Sequence, residues 1–169
     1  MNTNAICAIA TAKGSSALGI IRISGDGLKP LLSHLFTKEL HDRKATLTDI
    51  KKDDILYDNC IVILYSAPNS YTGEDVIEII THGNPVIMNS IMELLCNSGI
   101  SLAAPGEFTE RAFLNNKITL ERAEAVADLI SASDIQAVRA AQNSLNGKFF
   151  VNVSEILRAI VVLRAELES

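Results

Sequence analysis

The stretch that decides the fold is Leu18–Ser24, LGIIRIS, an almost unbroken apolar run with Arg22 at its centre. Such a run, rich in β-branched residues, is typical of a β-strand covered on both faces. A second run, Val76–Ile80, has the same form around Glu78. Removing an ion from water costs on the order of several kcal/mol unless a partner compensates it. Each charge therefore requires an opposite charge, a solvated sheet face or a ligand.

The two charges have a predicted position relative to each other. Every second side chain of a strand faces the same way, so Arg22 shares a face with Ile20 and Ser24. Glu78 likewise shares a face with Ile80, and if both strands belong to one sheet the two charges can lie close together. Two interpretations stay open: the charges neutralise one another, or they form the floor of a polar pocket. In such a pocket the carboxylate would accept paired N–H groups of a planar heterocycle, and the guanidinium would bind a carboxylate or carbonyl.

Strand and helix signals are mixed over the first hundred residues. One predicted helix covers Leu28–Phe36, and another begins at Asn84, a good N-cap followed by proline, and ends at Gly99. Residues 38–54 are predicted to hold an edge strand and a surface loop. The other predicted strands are Ala5–Ala10, Leu18–Ser24, Tyr57–Tyr65, Asp75–Thr81 and Ser101–Ala103.

After residue 103 only helix signals remain. The predicted helices are Glu107–Asn115, Leu120–Ser131 and Asp134–Leu167, the last opened by Ser133 with Gln136 at capping-box spacing. The fold class is therefore predicted as α+β, a mixed sheet with helices at residues 1–116, followed by an all-α segment at residues 117–169. The apolar stripe of the last helix, which reaches Ser169 without a stop signal, must pack on further chain or on another subunit.

Composition and charge exclude several classes of protein. The chain has 169 residues, 48% of them hydrophobic and 21% charged, as in an ordinary soluble globular protein. Its net charge of −5 is the wrong sign for gripping a phosphate backbone unaided. It has no apolar run of membrane-spanning length, and Met1–Asn4 lacks the basic start of a signal peptide, so we expect a cytoplasmic protein. Cys7, Cys60 and Cys96 lack metal-ligand spacing and are predicted to be core residues, with no metal site.

Few other residues suggest chemistry. Lys117 follows a turn and could point its charge into a cleft, whereas His82, just before a helix, could bind an anion but is more often structural. Glu107 and Arg111 have the i, i+4 spacing of a helix-surface ion pair. The chain contains no P-loop, no dinucleotide-binding glycine motif and no nucleophilic triad, so no catalytic residue is predicted. These residues indicate a binding or assembly module.

Five motifs nevertheless carry a specific resemblance. They are GIIRISG at residues 19–25, APNSYTGED at 67–75, HGNP at 82–85, the segment 104–117 and ERAEAVADLI at 121–130. In order and spacing the chain resembles the MnmE (TrmE) family of tRNA modification GTPases over essentially its whole length. The resemblance implies an N-terminal domain, similar to the tetrahydrofolate-binding domain of aminomethyltransferase, that forms a homodimer and binds a one-carbon derivative such as 5-formyl- or methylene-tetrahydrofolate. By motif, the folate-binding residues are Arg22, Glu78 and Lys117.

The resemblance also implies a partner protein and a further domain. Family members work with the flavoprotein MnmG (GidA), which carries FAD, to modify C5 of the wobble uridine of tRNA. Their GTPase domain, with GTP, K⁺ and Mg²⁺, is inserted beyond the stretch covered here, so these 169 residues are expected to have no GTPase activity alone. Two alternatives are a pure dimerisation module without a ligand and a free-standing aminomethyltransferase-like enzyme. The second lacks a catalytic acid supported by any motif.

Overall fold

The computed structural model describes residues 5–167. The expectations about Met1–Asn4 and Ser169 lie outside the described residues. The chain divides into two compact units, Met1–Lys117 and Ile118–Ser169. The described part contains a mixed sheet and six α-helices, which confirms the predicted α+β class. No helix in this part is long and apolar enough to cross a membrane.

The sheet belongs to the first unit, and its strands lie in the order β3-β4-β5-β2-β1-β6. Neighbouring strands are antiparallel except for β1 and β6, which run parallel. The predicted edge strand within residues 38–54 is confirmed, because β3 forms one edge of the sheet. The strands are β1 Ile6–Ile9, β2 Ser16–Gly25, β3 Thr46–Lys52, β4 Ile55–Tyr65, β5 Asp75–Gly83 and β6 Ser101–Leu102.

The helices follow the predicted order with one exception. The helix start at Asn84 is confirmed: its side chain accepts a hydrogen bond from Val86 N at 2.8 Å, and Pro85 occupies the first turn. The first helix is shorter than predicted and continues as a 3-10 turn, Ser33–Leu35. The helices are α1 Leu28–Leu32, α2 Pro85–Asn97, α3 Glu107–Leu114, α4 Leu120–Ser131, α5 Ile135–Leu145 and α6 Lys148–Leu167.

The prediction of one continuous helix over Asp134–Leu167 is wrong. The chain breaks at Gly147, which has a φ of +74° in the left-handed region that ends helices. The cap is also one residue later than predicted. Asp134, and not Ser133, accepts hydrogen bonds from Gln136 N and Ala137 N, at 2.8 and 2.9 Å. A carboxylate that satisfies two free N–H groups at the positive end of a helix accounts for this choice.

The core lies on one face of the sheet, beneath α1 and α2. Its fully buried members include Ile21, Ile23, Ile77 and Ile79 from the strands and Leu28, Leu32, Ile91 and Leu95 from the helices. Cys7 and Cys60 are buried as predicted, and burial raises the pKa of each thiol to about 12. These two thiols are therefore protonated, unreactive core groups near neutral pH.

The opposite face of the sheet is less covered, and we call it the open face. Leu18 on this face is 61% exposed, so the expectation that Leu18–Ser24 is covered on both faces is wrong. In the second unit, the predicted apolar stripe on the last helix is present. Ile156, Leu157, Ile160 and Leu163 of α6 are each more than half exposed.

Candidate functional site

Strand register arranges the open face in cross-strand rows. One row, which we call the apolar row, consists of Leu47, Ile61, Ile80 and Ile20. The next row, which we call the charged row, consists of Ile63, Glu78, Arg22 and Ala8. Residues two apart on a strand are neighbours on one face. The two charges therefore lie at the edge of a half-exposed apolar surface.

Arg22 and Glu78 lie directly opposite each other on β2 and β5. Arg22 donates from Nε at 2.9 Å and from Nη2 at 2.7 Å, both to Oε1 of Glu78. The prediction that strand alternation can bring the two charges close together is therefore confirmed, and in this structure they pair. Their side chains remain 31% and 19% exposed. Both bonds end on Oε1 of Glu78. The other carboxylate oxygen, Oε2, therefore takes no part in the contact with Arg22.

Aromatic side chains surround this pair, and sequence reasoning missed them. The guanidinium carbon of Arg22 lies 5.6 Å from the ring centre of Tyr71 and 5.9 Å from that of Phe108, within range of cation–π attraction. Tyr65 lies two residues beyond Ile63 on the same face. Burial and the negative charge of the Glu78 carboxylate raise the pKa of Tyr65. The motifs contain Tyr71 and Phe108, but nothing in their local spacing indicates that these two residues meet Arg22.

The side chain of Lys117 packs against the loop at residues 66–74, which joins β4 to β5 and carries Tyr71. This side chain is exposed, and Nζ donates to Pro68 O at 2.8 Å. Gly73, with a φ of +84°, lets the lysine stem pass closely, since a Cβ there would lie 3.1 Å from Lys117 Cγ. In the described part of the chain, no hydrogen bond or ion pair joins Lys117 to Arg22 or Glu78. The loop therefore contacts two of the three predicted site residues, Lys117 through Pro68 and Arg22 through Tyr71.

His82 has a structural role, as is more often the case for a loop histidine. Its Nδ1 lies 2.8 Å from Oδ1 of Asp58, and its backbone N donates to Oδ2 at 2.9 Å. Asp58 is buried, so this contact fixes the end of β5 just before α2. Residues 5–167 contain no group of three or more His, Cys, Asp or Glu that could hold a metal ion.

A network beside the pair joins the loop to α3. Arg111 Nη1 lies 3.2 Å from each carboxylate oxygen of Glu74, and Nη2 lies 2.9 Å from Glu107 Oε1, which confirms the predicted i, i+4 contact. A hydrogen bond from the backbone N of Ala104 and the bond from Arg111 lower the pKa of Glu107. Burial opposes the charge on Arg111, but the bond to Glu107 and the charge of Glu74 raise its pKa. Glu107 and Arg111 are therefore both ionised at neutral pH.

Comparison with known proteins identifies the family of this chain. Residues 5–117 match the family model described as GTP-binding protein TrmE N-terminus. The chain is 47% identical over 164 residues to the tRNA modification GTPase MnmE of Francisella tularensis subsp. novicida, and 45% identical to that of Francisella philomiragia. Each alignment covers 97% of this chain and 36% of the relative, so the chain spans about a third of the relatives' length. Because the family model covers more than half of its residues, the chain belongs to the TrmE N-terminus family.

Proposed function

We propose that this chain forms part of an MnmE-type tRNA modification GTPase and that residues 1–116 bind a reduced folate and dimerise. The observation that carries the proposal is the partly exposed Arg22–Glu78 pair beside the apolar row. These are two of the three residues that the resemblance to the family implies as folate-binding residues. A pterin offers an amino group and a neighbouring ring N–H on one edge, and a single carboxylate accepts such a pair of donors well.

The pair leaves capacity for this ligand. A carboxylate has about four acceptor positions, and Arg22 uses Oε1 only. The pterin edge would bind Glu78, and the flat ring would lie against the apolar row. Arg22 would bind the polar substituents of the ring, and Lys117 would exchange its contact with Pro68 O for the anionic tail of the folate. Arg22 and Lys117 could also take each other's part in binding the folate, since both side chains carry hydrogen-bond donors only.

The wider function follows from the family. We propose that the whole protein acts in the cytoplasm with the flavoprotein MnmG and its FAD. The folate bound here would supply the one-carbon unit for C5 of the wobble uridine of tRNA. GTP hydrolysis, with K⁺ and Mg²⁺, would take place in a domain outside these 169 residues, and residues 117–169 would begin the helical domain. With a net charge of −5, this part of the protein would rely on other surfaces to hold tRNA.

Titration calorimetry tests the folate proposal. We expect 5-formyltetrahydrofolate to bind the chain saturably, with one folate per chain. The control ligand is p-aminobenzoylglutamate, which keeps the tail of the folate but lacks the pterin, and it should bind much more weakly because Glu78 has nothing to accept. Equal binding of both ligands, or no heat with either, would exclude Glu78 as a pterin acceptor.

A second candidate function is a pure assembly module. The direct bond between Arg22 and Glu78 favours it, because the two charges already satisfy each other without a ligand. In that case the chain would dimerise normally and show no folate binding. The same titration therefore separates the two candidates.

Dimerisation gives a separate prediction. At one end of the apolar row, Leu47 is 54% and Ile61 is 38% exposed, and we propose that the partner protomer covers these two residues while Ile80 stays available to the pterin. The substitution Ile61→Glu should convert a dimer into a monomer, because an unpaired charge is costly in an apolar interface. Val86→Glu is the matched control, since Val86 is 73% exposed on α2, which packs on the core face of the sheet. Sedimentation velocity measures both, and an Ile61→Glu dimer as stable as the control would place the interface elsewhere.

A further inference from the structure

The loop at residues 66–74 determines the surroundings of Arg22, because it carries Tyr71 against the guanidinium. Hydrogen bonds from two other elements hold this loop. Ser24 of β2 bonds to Thr72 Oγ1 at 2.7 Å, and Asn115 Nδ2 donates to Thr72 O at 2.8 Å. The Tyr71 hydroxyl also lies 3.0 Å from Thr109 Oγ1 of α3. A shift of the loop would therefore move an aromatic wall of the candidate site.

Arg111 is the charged centre of this attachment. Its guanidinium binds both oxygens of Glu74, at the end of the loop, and Oε1 of Glu107, in the first turn of α3. Glu74 in turn accepts a hydrogen bond from Ser24 at 2.8 Å, and Glu107 accepts one from Ala104 N at 2.7 Å. The Arg111 side chain is only 12% exposed, so water screens these contacts little. One side chain thus ties the loop to β2 and to α3.

Arginine suits this position for a geometric reason. A planar guanidinium with five donors can bind two carboxylates in different directions at once, whereas a lysine ammonium is a compact charge on a flexible stem. Here one edge of the fork serves Glu74 and the other serves Glu107. Lysine would keep the positive charge, so the two carboxylates would not be left uncompensated, but it would lose the fixed direction of the contacts.

We propose that Arg111 is a positioning residue of the folate site: it holds the loop at residues 66–74 so that Tyr71 and Phe108 enclose Arg22 while Glu78 faces the ligand. This inference rests on the proposed folate function. Phe108 lies next to Glu107 on α3, so the same guanidinium anchors the segments that carry both aromatic rings. Arg111 itself acts through these segments, and the pterin would touch the residues that it positions.

The test compares Arg111→Lys with Arg139→Lys, a matched change at an exposed arginine of α5. Hydrogen exchange reports local opening of the loop separately from global unfolding. In Arg111→Lys we expect faster amide exchange at residues 66–74, unchanged protection of β2 and β5, and about a tenfold loss of affinity for 5-formyltetrahydrofolate, the effect of one weakened charge-assisted contact. Arg139→Lys should change neither measurement.

Three outcomes decide the matter. Loop exchange and folate affinity that match the wild type would overturn the role of Arg111. A loss of affinity with equally faster exchange in β2 and β5 would also overturn it, because that is general destabilisation. If the wild-type chain binds no folate, the proposed function fails, and faster exchange confined to the loop would still support the hold of Arg111 on this segment.

Discussion

Replacing Glu78 with Gln is expected to lower the affinity for 5-formyltetrahydrofolate by about 100-fold, the scale of one charge-assisted hydrogen bond and part of another. The amide keeps the size and shape of the side chain. It replaces one acceptor oxygen with an NH₂ group, which opposes the donors on the pterin edge, and it removes the negative charge that Arg22 binds at 2.7 Å. Titration calorimetry at neutral pH measures the change.

Glu39→Gln is the matched control for Glu78→Gln. Glu39 belongs to the same compact unit and also forms an ion pair, with Lys29 at 3.1 Å, but it is 68% exposed and lies outside the open face. Loss of the Glu39 charge should leave folate affinity unchanged, since exposed ion pairs contribute little. Equal effects of the two substitutions would show that general charge, and not the Glu78 carboxylate, governs binding.

Ile79→Ala is expected to reduce the free energy of unfolding by about 3 kcal/mol, whereas Ile80→Ala should cost less than about 1.5 kcal/mol. The two isoleucines are neighbours on β5 and have the same side chain. Ile79 is fully buried against the core, and Ile80 lies half-buried in the apolar row. Truncating Ile79 removes buried contacts and leaves a cavity, while the site of Ile80 remains open to solvent.

Urea unfolding of both variants, at a protein concentration low enough to keep the chain monomeric, measures this difference. Coincident curves for Ile79→Ala and Ile80→Ala would mean that the two faces of the sheet are covered equally. The open face would then not exist in solution. A large loss at Ile79 alone supports the one-sided core on which the candidate site depends.

The sequence could predict most elements and the meeting of the two charges. Alternation within Leu18–Ser24 and Val76–Ile80 determines which side chains share a face, and pairing of β2 with β5 then sets Arg22 opposite Glu78. The Asn84–Pro85 helix start was equally predictable, because cap chemistry is local. The exposure of Leu18 was not, since an unbroken apolar run has the same sequence pattern whether one face or both are covered.

The two helix errors have local causes. Ser133 and Asp134 are both good cap residues, and the spacing of Ser133 to Gln136 favoured the wrong one. In the structure the Asp134 carboxylate accepts hydrogen bonds from two backbone N–H groups. Residue spacing alone does not show which of the two candidates forms these bonds. The apolar stripe runs across the break at Gly147, so periodicity alone could not divide the helix.

The surroundings of the pair depend on contacts between distant segments. Glu74 and Arg111 are 37 residues apart, and Arg22 meets Tyr71 and Phe108 only because the loop and α3 lie over the sheet. The Glu107–Arg111 contact was predictable, since four residues separate its partners on one helix. Local patterns contain no information about the other contacts, so only the structure identifies Arg111 as the group that links the loop to α3.

A crystal structure of the chain with 5-formyltetrahydrofolate tests the central claim most directly. We expect the pterin edge within hydrogen-bond distance of Glu78, the flat ring against Ile80 of the apolar row, and Arg22 in contact with the ligand. A structure in which the folate binds elsewhere, or in which Arg22 and Glu78 keep their present bonds at 2.9 and 2.7 Å with no ligand beside them, would contradict the folate site.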